Sequence, residues 1–353
     1  MVFYRFLFKF NKSVLIRFNN SHLLIFTIMD NWPKPMVLLS KCIEFDHCRY
    51  DGSMISSDFV KKIKPFVDFQ LVCPEVEIGL GIPRKSLRLI RKDKKERLVQ
   101  PLTDKDVTSK MIKFAESFLS KQSGVHGAIL KSRSPSCGIK DVKWYAASKN
   151  AAPIKRTAGL FGKVMLRSLS CVVESEGRLR NKFIQEHFLA SIFTFARFDR
   201  VKKNPSIAQL VSFHGENKFL FMAYNQELLR KLGRIVANQD NQSIETVLSE
   251  YEILLYAVFE KPPSHSSTIN VLLHVFGFVS DDLNKSEKSF FLKLVDKYKH
   301  EKIPLTVLSN VLKSWVVRFG EPYLSNQTFF NPFPEDLLEE DLSMVADQQR
   351  YWE

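Results

Sequence analysis

Long hydrophobic runs are missing from this sequence of 353 residues, although 45% of its residues are hydrophobic. No apolar run reaches the ~18 to 20 residues that a membrane-spanning helix needs, so we expect no membrane partner. Internal repeats at the periods of solenoid proteins are also missing. At about 150 residues per domain, a chain of this length is predicted to form two domains.

Cysteine is scarce, and its spacing excludes a disulfide framework. The five cysteines form an odd and irregularly spaced set, namely Cys42, Cys48, Cys73, Cys137 and Cys171. A chain of this size can bury enough apolar surface to fold without disulfides. The sequence therefore predicts a reducing compartment, and we expect a cytoplasmic protein.

Acidic residues are outnumbered, with 38 Asp and Glu against 52 Lys and Arg, which gives a net charge of +14. A basic surface attracts phosphate backbones largely without regard to their sequence. The composition therefore favours a nucleic acid as partner, although many basic proteins bind no polyanion in particular.

The first residues, 1–31, are aromatic, basic and poor in acids, but they lack the apolar core and small-residue cleavage site of a signal peptide. We interpret them as an extension that is disordered or as the product of a misplaced start codon upstream of Met29. A targeting segment is the alternative. At the other end, residues 346–353 are predicted to be a tail.

Strand and helix signals alternate over residues 32–180. Short apolar runs at Met36–Ser40, "FQLVC", "VHGAIL" and "CVVES" predict strands, and the amphipathic segments between them predict helices, one of them capped by Thr103. This order predicts an α/β fold, with a parallel-sheet, Rossmann-like N-terminal domain. Residues 181–345 show helical periodicity, as in Phe290, Leu294 and Tyr298, and predict an all-helical C-terminal domain.

Three cysteines follow predicted strands. Cys42 lies two residues after the first strand, Cys73 ends the second, and Cys137 lies in the loop "SRSPSCG" after the third. Because the carboxyl ends of parallel strands meet at one edge of a sheet, we expect the three thiols to converge. Thiolates there are soft ligands for iron or zinc, and three ligands leave one position open for a substrate. The alternative is that these cysteines are small buried hydrophobic residues.

Four segments appear in a fixed order: "SKCIEFDHCRYDG", "CPEVEIGLGIPR", "RLVQPLTDKDVT" and "LKSRSPSCG". Together, over roughly residues 35–178, they resemble the thiouracil desulfidase family. The resemblance implies a 4Fe-4S cluster held by Cys42, Cys73 and Cys137. We expect Cys48 not to be a ligand, although as a fourth ligand it would close the open iron position, and we expect Cys171 to belong to the core.

Downstream, "LVSFHGENKFLFMAYNQELLRKLGRIVA" resembles the YbgA-like helical domain. Fused proteins of this kind look like thiouridine desulfurases. The combined resemblance implies hydrolytic removal of sulfur, released as hydrosulfide, from 4-thiouridine in tRNA. A desulfidase of free thiouracil is one alternative, and a non-catalytic iron–sulfur protein that binds RNA is another.

Several residues near the cysteines are candidates for catalysis. Glu75, two residues from Cys73, is predicted to move protons, or merely to cap a helix. Ser134 and Ser136 could orient water or substrate, or could only form a turn. Tyr50 and Asp51 could contact the substrate, although Asp-Gly is also an ordinary turn.

Basic residues in both domains are candidates for binding. Arg84 is predicted to contact substrate, and the basic run that it opens is predicted to contact RNA through Lys85, Arg88 and Arg91, or to be a solvated loop. In the helical domain, RNA backbone contacts are predicted for His214, Lys218, Arg230 and Arg234. His274, on an apolar helix, is predicted to be a core residue.

Overall fold

The computed structural model describes residues 32–92 and 94–338. The predictions for residues 1–31 and for the tail at 346–353 lie outside the described residues. Within the described part, no helix is long and apolar enough to cross a membrane.

The nine described strands belong to two sheets. In chain order the strands are β1 (Met36–Ser40), β2 (Asp68–Val72), β3 (Arg88–Lys92), β4 (Lys95–Gln100), β5 (Lys105–Asp106), β6 (Gly127–Leu130), β7 (Val142–Tyr145), β8 (Pro153–Thr157) and β9 (Val172–Ser175). The first sheet has the order β2-β1-β6-β9 and is parallel throughout, as predicted. Its four strands are the four that the apolar runs predicted.

The α-helices of the described chain lie mostly in its second half. They are α1 (Asp58–Ile63), α2 (Pro74–Glu77), α3 (Thr108–Leu119), α4 (Leu160–Ser168), α5 (Lys182–Lys203), α6 (Ile207–Glu216), α7 (Lys218–Tyr224), α8 (Gln226–Ala237), α9 (Ile244–Val258), α10 (His265–Val279), α11 (Lys285–Lys299), α12 (Leu305–Phe319) and α13 (Pro322–Ser325). The predicted α/β arrangement followed by a helical region is confirmed.

The second sheet was not predicted. It has the order β5-β4-β3-β7-β8 and mixes parallel and antiparallel pairs. Its strands β3 and β4 form a hairpin from the basic run after Arg84, where the sequence offered a solvated loop as the alternative. The pairing of β5 with β4 also corrects the start of α3. Because Lys105 and Asp106 are in that strand, Thr103 lies in a turn, and the N-cap of α3 is Val107.

Helices cover both faces of the parallel sheet. Leu38 and Ala128 pack with residues of α3 and α4, whereas Val37, Leu39 and Ile129 pack with residues of α1 and α5. Successive residues of a strand point to opposite faces, so one strand serves both cores.

Helix α5 is the element that joins the parallel sheet to the helical region. Its residues Phe188, Ile192 and Phe193 are fully buried in the same core as β1 and β6. A Cβ atom built on Gly127 of β6 would lie only 2.6 Å from the Cγ2 atom of Ile192, so a side chain there would obstruct this approach. The hydrophobic core therefore runs without a break across residue 180, where the sequence predicted a domain boundary. That boundary stays a prediction.

Candidate active site

The parallel sheet brings the three predicted cysteines to one edge. Cys42 follows β1, Cys73 lies between β2 and α2, and Cys137 lies in the loop after β6, and all three are buried. The strands β2, β1 and β6 are neighbours in that order. The backbone N–H of Lys41 donates to the carbonyl oxygen of Val72 at 2.9 Å, which extends the β1–β2 pairing as far as the cysteines.

Cys48 joins this group of thiols, in the position that its alternative interpretation as a fourth ligand requires. A hydrogen bond with the Cys42 thiol and burial raise the pKa of the Cys48 thiol to about 11, and the Cys73 thiol is also within hydrogen-bond reach of it. The contact with Cys48, together with burial, raises the pKa of Cys73. Burial is the main cause that raises the pKa of Cys137, and the nearby Cys73 and Glu75 add to it. The fifth thiol, Cys171, lies apart from this group and, as expected, packs against the core that the parallel sheet forms with α3 and α4.

The buried thiols have the donor chemistry that an iron–sulfur group takes. Within residues 32–92 and 94–338, no three His, Cys, Asp or Glu side chains form a group that could hold one ion. Cys42, Cys73 and Cys137 are nevertheless buried soft donors around one edge of the sheet. A cluster of several iron atoms binds its thiolates through different irons, so its ligands need not meet at one point. Binding would displace the thiol protons that burial retains.

The loop that carries Cys137 is held at both ends. At its start, Glu176 accepts hydrogen bonds from the Ser132 backbone N–H at 2.6 Å and from the Lys131 Nζ at 2.9 Å. Nearer Cys137, the Ser134 hydroxyl oxygen accepts the backbone N–H of Cys137 at 3.1 Å. This is the turn-forming role that the sequence left open for Ser134.

Helix α4 also presses against the Cys137 loop. A Cβ atom on Gly159 would lie 2.5 Å from the carbonyl oxygen of Ser136, and one on Gly162 would lie 2.5 Å from that of Gly138. These contacts are with backbone atoms, which cannot turn aside as a flexible side chain can. The two glycines therefore let α4 set the position of the loop.

Glu75 lies at the centre of a polar network beside the thiols. One carboxylate oxygen accepts a hydrogen bond from the Nε of Arg84 at 2.8 Å, and the other accepts one from the Ser136 hydroxyl at 2.9 Å. The Glu75 and Arg84 side chains are 12% and 4% exposed, so solvent screens their ion pair only weakly. Because its carboxylate bonds to side chains of two other segments, Glu75 does more than cap α2.

Arg84 links Glu75 to the first cysteine loop. Its guanidinium donates to the carbonyl oxygen of Cys48 at 2.9 Å, and its backbone N–H donates to that of Tyr50 at 2.8 Å. The sequence analysis identified Arg84 as a substrate contact and missed this second role. The sequence contains no strong signal for the contact of Arg84 with Glu75, because no spacing rule relates two residues on either side of such a turn.

The remaining predicted substrate contacts lie at the rim of the site. Tyr50 is exposed, and the Asp51 carboxylate accepts hydrogen bonds from the backbone N–H and the hydroxyl of Ser53 at 3.1 and 2.7 Å. Asp51 thus forms the ordinary turn that was its alternative interpretation. A cavity of about 360 Å³ adjoins Arg84 and is lined by Gly79, Leu80, Pro83, Lys85, Gln100 and Lys105.

The predicted RNA contacts fall into two groups. Lys85, Arg88 and Arg91 belong to the second sheet and the segment before it. In the helical region, Lys218, Arg230 and Arg234 are exposed.

Two histidines of the helical region, His214 and His274, were given roles in the sequence analysis. The His214 ring bonds to the Tyr251 hydroxyl at 3.0 Å, and burial lowers its pKa to about 4. At neutral pH His214 is therefore uncharged, and it could meet phosphate only as a hydrogen-bond partner. The prediction that His274 is a core residue is wrong, because His274 is exposed on α10.

Fold and site together define an α/β protein with buried thiols at the carboxyl edge of a parallel sheet, a carboxylate beside them and a helical region behind. Residues 37–176 match the family model described as 2-thiouracil desulfurase, and residues 218–334 match that of a protein of unknown function, DUF1722. The chain belongs to the 2-thiouracil desulfurase family and carries a YbgA-like region.

Curated relatives correspond to the two parts of the chain. The uncharacterized protein YbbK of Bacillus subtilis (strain 168) is 30% identical over 110 residues, which cover 29% of this chain and 73% of YbbK. The uncharacterized protein YbgA of Escherichia coli (strain K12) is 26% identical over 148 residues, which cover 41% of this chain and 88% of YbgA. A solved structure titled a [4Fe-4S]-dependent thiouracil desulfidase, TudS, is 24% identical, covers 42% of this chain and 94% of its own, and has a TM-score of 0.33.

Proposed function

We propose that this protein removes sulfur hydrolytically from 4-thiouridine in tRNA, with a 4Fe-4S cluster as cofactor, and releases hydrosulfide. The observation that carries the proposal is the position of the Glu75 carboxylate. It is fixed by Arg84 and Ser136 at the edge of the sheet where Cys42, Cys73 and Cys137 lie buried. A protein that only stored a cluster would not need a fixed carboxylate at that point.

Cys42, Cys73 and Cys137 would hold the cluster, and their thiols are the soft ligands that iron–sulfur groups take. When bound, a cluster with three protein ligands supplies an open iron that can accept sulfur as a Lewis acid. Cys48 is near enough to Cys42 and Cys73 to compete for that position. In our proposal Cys48 does not bind there, and the position stays open for the substrate sulfur.

Glu75 would act on the water that replaces the sulfur. Its carboxylate can take a proton from the water as the oxygen attacks the carbon, and can return a proton to the departing sulfur. Arg84 fixes one carboxylate oxygen and Ser136 the other, so the reacting proton has a defined partner. Positioning of this kind lowers the entropic part of the barrier.

The helical region would contribute RNA affinity through Lys218, Arg230 and Arg234. Arg230 and Arg234 are one helical turn apart on α8, so they project from one face of that helix. Cations arranged in this way bind phosphates without reading bases. Free thiouracil would reach the same thiols without using these residues.

The test is anaerobic purification or reconstitution, with iron and sulfide counted per chain, followed by turnover of tRNA that contains 4-thiouridine and of free thiouracil. We expect close to four irons and four sulfides, and one hydrosulfide released for each thiouridine lost. Cys48→Ser should keep its iron, whereas Cys42→Ser, Cys73→Ser and Cys137→Ser should lose it. Turnover of free thiouracil without turnover of tRNA would favour the free-base alternative, and a loaded cluster without any turnover would favour a non-catalytic protein.

A further inference from the structure

The second sheet has one face in the core. Leu89, Leu98 and Val142 pack with Met111 of α3 and Phe161 of α4. Residues paired across neighbouring strands share a face, and the register pairs Leu89 with both Leu98 and Trp144. That register, with the alternation of side chains along each strand, assigns the paired residues of the second sheet to the core face or to the opposite face.

The opposite face is strongly basic. By strand alternation and register it carries six cationic residues: Arg88, Lys92, Lys95, Arg97, Lys143 and Arg156. We call these six residues the basic face. One carboxylate in register belongs to the same side, that of Asp106 opposite Val99. The distance from the Asp106 Oδ2 to the Arg97 Nη1 is 3.9 Å, which is long for an ion pair.

Most of the positive charge on this face has no neutralising partner in the described part of the chain. Lys92, Lys95, Lys143 and Arg156 are exposed and form no ion pair within residues 32–92 and 94–338. Arg88 is fixed in another way, since its guanidinium lies 4.2 Å from the centre of the Tyr145 ring and donates to the Ser148 carbonyl oxygen. Unpaired like charges on adjacent strands repel one another, so binding of a polyanion removes an electrostatic repulsion that destabilises the free protein.

We infer that the basic face binds the phosphate backbone of RNA. The inference rests on the proposed function in one respect, namely that the RNA is the thiolated tRNA. Anionic membrane is a poorer match, because membrane binding also needs apolar side chains that insert. Two aliphatic residues on this face, Ile90 and Val99, are each 6% exposed, and each lies opposite an arginine whose stem can cover it. Ile154, at the bulge of β8, adds one exposed aliphatic side chain, which is too little apolar surface to insert into a membrane.

The basic face begins close to the candidate active site. Arg88, the first residue of β3, follows Arg84 by four residues, which an extended chain spans in at most about 14 Å. The cavity beside Arg84 is lined in part by Lys85, which lies between Arg84 and Arg88 in the chain, whereas Gln100 and Lys105 line it from the Leu98 side of the sheet. RNA that lies across the basic face can thus present a base toward Glu75.

Adjacent residues of β8 provide a matched experiment. Arg156 pairs with Lys143 on the basic face, whereas Lys155 pairs with Trp144 on the other face. The test variant is Lys143→Gln/Arg156→Gln. The control is Lys155→Gln/Arg167→Gln, which uses an exposed arginine of α4 and also replaces one lysine and one arginine. Both variants remove two positive charges from the same net charge of +14.

The measurement is binding of an unmodified tRNA transcript over a range of salt concentrations. In the test variant the slope of log affinity against log salt should shrink by about 1.4 to 1.8, which is 0.7 to 0.9 for each lost phosphate contact. The control should keep the slope of the unchanged protein. Lys92→Gln/Lys95→Gln should repeat the loss, so poor folding of one variant does not leave the inference undecided.

Equal slopes in the test and control variants would overturn the inference, because net charge alone would then explain binding. Loss of binding to vesicles containing phosphatidylserine, with tRNA binding unchanged, would overturn it as well. The transcript contains no sulfur, so its binding does not depend on catalysis. Failure of the proposed function is detected separately, as absence of hydrosulfide release from thiolated substrates by the unchanged protein.

Discussion

Replacing Glu75 with Gln tests the proposed chemistry most directly, and the structure allows the side effects to be estimated. Arg84 would lose a carboxylate partner while its side chain is only 4% exposed, and breaking a buried ion pair costs about 3 to 5 kcal/mol. However, Arg84 keeps the carbonyl oxygens of Cys48 and Gly81, at 2.9 and 3.1 Å, and Gln keeps an acceptor oxygen. We therefore expect the free energy of unfolding to fall by only about 1 to 2 kcal/mol.

Turnover should fall much further than stability. A positioned acid or base contributes about a hundredfold or more to the rate, so Glu75→Gln should lose at least that factor. A hundredfold loss corresponds to about 2.7 kcal/mol in activation free energy. The assay is anaerobic release of hydrosulfide, measured after the iron content and visible absorption of the variant have been matched to those of the unchanged protein.

Glu77→Gln is the matched control for this experiment. Glu77 is in the same first turn of α2, carries the same charge and is exposed. Its replacement changes the favourable interaction with the helix N-terminus as much as Glu75→Gln does, at about 0.3 to 1 kcal/mol, but removes nothing from the site. If Glu75→Gln keeps its iron and turns over at the rate of Glu77→Gln, the proton carrier is another group, with Ser136 the next to test.

Three further predictions follow from packing and burial. Gly162→Ala should lower the iron content, because its Cβ would lie 2.5 and 2.9 Å from the backbone oxygens of Gly138 and Cys137. Gly127→Ala, whose Cβ would meet side chains of α5, should lower the free energy of unfolding by about 1 to 3 kcal/mol and keep the iron. Equal iron loss in both variants would refute the reasoning. The pKa of His214 is lowered from 6.5 to about 4, so its contribution to the free energy of unfolding, up to about 3 kcal/mol, is present above pH 6.5 and is lost as the pH falls toward 4. In urea titrations at several pH values, His214→Gln should weaken that pH dependence, and replacement of the exposed His274 by Gln should not. A chain that ends after Arg180 lacks Phe188, Ile192 and Phe193, and burial of these three side chains together stabilises the fold by roughly 5 to 9 kcal/mol. The shortened chain should therefore be insoluble, or its circular dichroism spectrum should be that of an unfolded chain. A folded monomer would contradict this prediction.

The parallel sheet could be predicted from the sequence because its central strands, β1 and β6, are buried on both faces. Such strands are continuous apolar runs, as in Met36–Ser40, and their order fixes which ends meet. The second sheet escaped prediction for the same physical reason. In β3 and β4 only two adjacent apolar residues stand among charged and polar ones, and a short stretch of this kind is difficult to distinguish from a charged loop.

Individual contacts in the site could be predicted less well than its position. The strand-end rule predicts that Cys42, Cys73 and Cys137 share an edge, but the rule contains nothing about side chains in the loops. The approach of Cys48 to Cys42, and the ion pair of Glu75 with Arg84, depend on how two loops fold back on each other. The His274 error has a similar cause, because an apolar helix such as α10 still exposes one side, and a single histidine does not indicate which.

Helix α5 gives the two halves of the chain a mechanical connection that bears on function. The helix packs on β1 and β6, which end at Cys42 and in the loop of Cys137, and its Asp199 bonds to His126, just before β6, at 2.9 Å. The same Asp199 pairs with Lys202, which in turn pairs with Glu252 of α9. A shift of the helical region therefore acts on strands that position two of the predicted cluster ligands. Helix α5, which precedes the residues that match the DUF1722 model, is thus part of the support of the candidate site, because it cannot be removed without exposing the core of the sheet.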